Sequence, residues 1–139
     1  MKTKQKISLL IIVIVIAATA ISLVWYFSPR TFWGGVEPSD IKSIVVFDGN
    51  TGKGFYISDA DEIRYIVENI QGNKMERDGV SMGYTGWSFH MIFCDETGKS
   101  MESFVINSVD AIRKDPFFYR CDGDLCFDYL KELEAKYSH

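Results

Sequence analysis

Proline is scarce in this chain, at 3 of 139 residues, and so are cysteine, at 3, and histidine, at 2. Three cysteines with no CxxC pair, and with one of the two histidines at the last position (His139), make a poor set of zinc ligands. There is no low-complexity tract and no internal repeat of useful length, which argues against a repeat architecture or a flexible stalk. Acidic residues are missing from the first 30 positions; all 19 lie beyond them. Charge of either sign is missing from residues 7–27.

That last absence is the most informative. The 21 uncharged residues are mainly Ile, Leu and Val. At about 1.5 Å per residue a helix of that length spans roughly 31 Å, matching a hydrocarbon core of about 30 Å. Trp25 and Tyr26 close the run, with Phe32 and Trp33 just beyond, as in an interfacial aromatic belt. Lys2, Lys4 and Lys6 precede it and only Arg30 follows closely. The expectation is a single-pass membrane protein: residues 1–6 cytoplasmic, 7–27 spanning, 28–40 a linker, and 41–139 a domain outside. The competing reading is a secretory signal cleaved near Ala20, after the small-residue run Ala17-Ala18-Thr19-Ala20. It would leave seven more apolar residues at the new N-terminus, so the uncleaved anchor is preferred.

Beyond residue 30 the chain holds 11 basic and 19 acidic residues, a net of −8 against −4 for the whole. Nucleic acid is therefore not expected as a partner. The length suits one ordinary domain, not two.

Pro29, Gly34, Gly35 and Pro38 punctuate the linker. Residues 41–47 and 54–57 read as two strands around the turn signal Asp48-Gly49-Asn50-Thr51-Gly52-Lys53. Ser58 or Asp59 should cap a helix, with Glu62 placed for a capping box. Ile63, Ile66, Val67 and Ile70 form its apolar stripe and Gly72 stops it. Residues 87–94 alternate, with Trp87, Phe89, Met91 and Phe93 toward the core and Ser88, His90, Ile92 and Cys94 away. A turn at Asp95-Glu96-Thr97-Gly98-Lys99 leads into a strand at 101–107. A short hairpin around Asp115-Pro116 follows, and then a last helix capped by Asp122 or Asp124. Its stripe is Cys126, Tyr129, Leu130, Leu133 and Tyr137. The order ββα-βββ(β)-α implies an α+β domain: an antiparallel sheet of about 5–6 strands packed with two helices.

Several constellations could carry chemistry. Cys121 and Cys126 flank a short turn and could approach disulfide distance in an exported domain; two reduced, partly buried thiols are an equal alternative. Cys94 is expected as a buried hydrophobe. His90 and Cys94 share a strand face, but four residues separate them by roughly 13 Å, too far for a catalytic dyad. Only another side chain folded against one of them would revive such chemistry. Asp122, Asp124 and Asp128 lack the carboxylate spacing of a calcium loop, and helix capping explains the first two. The glycine-rich turn at 48–54 has the wrong spacing for a phosphate loop and leads into a strand. No cofactor or metal is expected. Residues 73–86 form a long irregular stretch. Met75, Arg77, Val80, Met82 and Tyr84 there, with Trp87, make it the candidate partner-binding loop.

The domain resembles the small uncharacterised exported or membrane-anchored α+β domains of Gram-positive bacteria. The likeness rests on the opening strand with Asn50-Thr51-Gly52-Lys53, the helix start Asp59-Ala60-Asp61-Glu62-Ile63, and Thr85-Gly86-Trp87-Ser88-Phe89 running to Asp95-Glu96-Thr97-Gly98-Lys99. It covers roughly residues 40 to 135 and implies an envelope location and an α+β domain, with no activity to carry over. The functional expectation is a non-enzymatic binding module of the cell envelope with a protein partner. A carboxylate-based envelope hydrolase and an acidic inhibitor or immunity-type protein are the alternatives.

Overall fold

The computed structural model describes residues 2–138. Helix α1 covers Thr3–Phe27 and buries no residue. It is the one helix among the described residues long and apolar enough to cross a membrane. Two polar side chains in its second half are satisfied within the helix. The hydroxyls of Thr19 and Ser22 each donate back to the carbonyl four residues earlier, at 2.8 Å, which removes free donors from an apolar segment.

The rest of the chain forms an eight-stranded, wholly antiparallel sheet with two helices, an α+β fold. The strands are β1 (Arg30–Thr31), β2 (Ser43–Asp48), β3 (Gly54–Ile57), β4 (Lys74–Val80), β5 (Phe89–Cys94), β6 (Ser100–Ser108), β7 (Ala111–Lys114) and β8 (Phe117–Cys121). Helices α2 (Ala60–Gln71) and α3 (Phe127–Tyr137) complete it. Their spatial order is β1-β4-β8-β7-β6-β5-β2-β3. The expected hairpins are present, and the sheet is larger than expected by β1 and β4.

Register fixes the two faces. Phe55, Val46, Met91 and Phe104 lie in one cross-strand row, and Ile57, Ile44 and Phe93 in the next. These side chains are buried, and α2 covers them with Ile63, Ile66, Val67 and Ile70, the stripe its spacing predicts. Helix α3 adds Leu130 and Leu133, and Phe127 meets Phe89 at 5.3 Å between ring centroids.

Helix starts were only half legible. Asp59 caps α2 as expected, accepting from the N–H groups of Asp61 and Glu62 at 2.9 and 3.0 Å. Glu62 does not complete a capping box. Its carboxylate turns to α3 and accepts from Lys136 Nζ and Tyr137 Oη, both at 2.6 Å. At α3 neither Asp122 nor Asp124 is the cap; Cys126 occupies that position. Asp122 instead accepts from the Lys74 N–H at 2.9 Å and ties β8 to β4.

Residues 28–40 are not a free linker. Arg30 and Thr31 pair with Met75 and Lys74 as an edge strand. Phe32 and Trp33, expected in an interfacial belt, pack on the core: Phe32 meets Phe104 at 5.1 Å and Trp33 meets Phe93 at 4.6 Å. Gln71 Nε2 donates to the carbonyls of Trp33 and Val36, at 3.0 and 2.6 Å. Trp33 takes a left-handed φ of 61°, an unfavourable conformation for a bulky residue that this packing holds in place.

Candidate functional site

Helices cover one face of the sheet and leave the other open. Along the open face the register places Phe47, His90, Val105 and Arg113 in one row, with Phe118 opposite Arg113. Tyr56, Val45, Ile92 and Ser103 form a second row. The connection from β4 to β5 must cross three intervening strands, and residues 81–88 do so as a strap over this face.

The strap is pinned at both ends. The Ser81 N–H donates to the Pro116 carbonyl at 2.8 Å and its hydroxyl donates to Asp115 at 2.5 Å. At the other end the Gly49 N–H donates to the Ser88 carbonyl at 2.8 Å, and the Ser88 N–H donates to Asn107 Oδ1 at 3.2 Å. A Cβ on Gly49 would lie 2.3 Å from the Trp87 carbonyl oxygen, so a side chain there would displace the strap. Between the pins Tyr84 stacks edge-on with Phe118 at 5.1 Å, and Trp87 with His90 at 5.9 Å.

A solvent-open cleft of about 570 Å³ lies beside the strap, lined by Tyr84, Trp87, His90, Ser103 and Arg113 among others. Inside it the His90 Nε2 and Ser103 Oγ are 2.8 Å apart. This is the partner side chain that a lone histidine would need for nucleophilic chemistry, and it comes from the next strand. Among the described residues no carboxylate reaches the other ring nitrogen, so the orienting third group of a catalytic triad is not assembled. Arg113 Nε donates to Asp115 at 2.9 Å; together with the Ser81 hydroxyl it holds the Asp115 carboxyl below its ordinary range. The cleft thus combines aromatic walls with a hydroxyl, an imidazole and a neutralised guanidinium. That surface suits recognition of a mixed polar and apolar ligand.

The candidate partner-binding loop does not exist as one surface. Residues 74–80 are strand β4, paired with β8. Met75 is fully buried, because it faces Cys121 and the core. Arg77 lies over the Tyr26 and Phe117 rings at 4.5 and 4.6 Å. Val80 and Met82 are exposed at the end of β4, at 57% and 69%. Tyr84 and Trp87 belong to the strap. Trp87, expected on the core face, precedes β5 and stays 37% exposed, because the pinning of Ser88 turns it over His90.

Cys94 is buried, as expected of a hydrophobe, although strict alternation predicts the outer face for it; a register shift after Phe93 reorients it. Cys121 and Cys126 are unbridged and buried as separate thiols. Loss of solvation pushes both thiols up to about 12. At that value only about one part in 10⁴ of each is ionised at pH 8. Iodoacetamide should therefore leave the native protein unlabelled over hours and label three cysteines in urea. Mass spectrometry reads the count, and fast native labelling of Cys121 or Cys126 would contradict the burial.

Two carboxylates do converge. Glu134 is pushed above its ordinary range, first by loss of solvation and then by the neighbouring Asp48 carboxylate. Both sit by Thr51 and Lys53 at the β2–β3 turn, and neither lines the cleft. No group of three or more His, Cys, Asp or Glu positioned for a metal occurs among the described residues.

Comparison with protein-family models, curated proteins and solved structures gave no match to this chain.

Proposed function

We propose that the chain is a non-enzymatic binding module of the cell envelope. In this reading α1 holds it in the membrane, N-terminus inside, and the open sheet face recognises a protein partner outside. The uncovered face carries the proposal. The second face of an antiparallel sheet is ordinarily solvated and polar. Here it carries Phe47 at 43% exposure and Tyr56 at 56%, and the strap adds Tyr84 and Trp87. Aromatic side chains exposed together amid charge are what protein-binding surfaces are enriched in. The net charge of −8 beyond residue 30 disfavours nucleic acid as the occupant.

Photo-crosslinking from intact membranes tests this. A benzophenone amino acid at Tyr56 or at Tyr84 should capture the same protein, and one at Tyr65, on the helix side, should not. Failure to recover a protein from the open face, or equal capture from Tyr65, would refute the reading.

A further inference from the structure

We propose that the outer domain lies down on the membrane it is anchored in. Arg77 and Arg30 engage lipid phosphodiesters, and the apolar tip around Val80 and Met82 enters the interface. The proposal rests on α1 being a membrane anchor.

The tether is the first argument. Only Ser28 and Pro29 separate α1 from β1, and β1 is already hydrogen-bonded into the sheet. The domain therefore has almost no slack with which to stand away from the bilayer. Antiparallel pairing of Arg30 with Met75 sends β4 back toward the helix exit. Tyr26, in the last turn of α1, meets Phe117 at 5.8 Å, and Phe117 is the cross-strand partner of Val80. So the end of β4 is the part of the sheet next to the point where the helix leaves the membrane.

What stands at that point fits a lipid surface. Arg77 is held over the Tyr26 and Phe117 rings, and its Nε is buried without a hydrogen-bond partner. Among the described residues no carboxylate lies within ion-pair distance of it, in a domain rich in carboxylates. Arg30 lies over the Trp25 ring at 4.9 Å and donates to the Trp25 carbonyl at 2.8 Å. Trp and Tyr at a helix end mark headgroup depth, and a guanidinium braced on aromatic rings binds phosphate oxygens in pairs. Beyond it, Val80 and Met82 are more exposed than any other aliphatic side chain of the sheet domain. Glycines at positive φ, Gly79 (117°) and Gly83 (91°), flank them and shape the turn that projects them. The domain's negative charge would repel an anionic surface at long range. The recognised group is therefore the individual phosphodiester, available in a zwitterionic bilayer as well.

The test uses the full chain in phosphatidylcholine nanodiscs doped with a phosphatidylcholine bearing a diazirine near the headgroup, followed by peptide mass spectrometry. Adducts are expected on α1 and on residues 79–83. Labelling of the tip should exceed that of the turn at residues 49–53 by fivefold or more. That turn is five strand spacings away, roughly 24 Å. Met82→Asp, at an exposed site where folding is not at stake, should cut tip labelling several-fold and leave α1 unchanged. Arg77→Gln should do the same. Adducts on α1 with the tip no better labelled than the turn would overturn the proposal while sparing the anchor. A chain unlabelled at α1 as well would overturn the anchor first and the proposal with it.

Discussion

Replacing Phe104 with alanine is expected to destabilise the sheet domain by about 3–5 kcal/mol, the range for truncating a buried aromatic. Phe104 is 2% exposed and stacks on Phe93 at 5.2 Å with the rings 29° apart. It also receives Phe32 at 5.1 Å and Trp33 at 6.2 Å edge-on. One side chain thus joins the middle of the sheet to the segment that follows α1. The alanine would leave a cavity bounded on one side by a rigid sheet and on the other by the two rings of residues 32 and 33. Those rings have Gln71 holding the backbone beside them, so they cannot collapse freely into the space. That argues for the upper part of the range. Urea denaturation of the chain in detergent, followed by tryptophan fluorescence, measures it. A loss below about 1 kcal/mol would mean that Phe32 and Trp33 are not clamped as described.

The same residues show where the sequence was readable and where it was not. Local periodicity was enough for α2, whose four-residue stripe is buried as spaced, and for the strand at Gly54–Ile57. It was enough for the hairpin at Asp115-Pro116, since alternation and turn chemistry sit within a few residues there. Phe32 and Trp33 carried an apolar signal that a membrane belt and a protein core share, and only tertiary packing decides between them. Strand β4 was invisible for a different reason. Lys74-Met75-Glu76-Arg77-Asp78-Gly79-Val80 buries a single side chain fully, and its strand character comes from pairing with β8, more than 35 positions on. The cleft was hidden likewise. His90 and Ser103 meet diagonally across β5 and β6, and that register depends on the turn between them and the shift after Phe93. Composition marked residues 73–86 as unusual but could not divide them among core, helix exit and strap.

Placing arginine at both Val15 and Ala18 should strip the chain from membranes without unfolding its sheet. The thirteen Ile, Leu, Val and Phe residues between Ile7 and Phe27 contribute roughly 4–8 kcal/mol of insertion free energy, at about 0.3–0.6 each. Each central arginine costs about 2.5–3.5 kcal/mol, so two offset most of that gain and one does not. The domain should be indifferent to the change. Helix α1 buries no residue along its length, and its contacts with the sheet come only from the last turn, through Trp25 and Tyr26. Carbonate extraction of membranes from cells making each variant separates the outcomes. The double variant should move to the soluble fraction with the urea midpoint of its domain unchanged, and the single Val15→Arg chain should remain largely membrane-bound. A double variant that stays in the pellet would mean that something other than the apolar helix holds the chain there. The exposed tip beside Arg77 is then the surface to remove next, since it is the remaining apolar feature next to the helix exit.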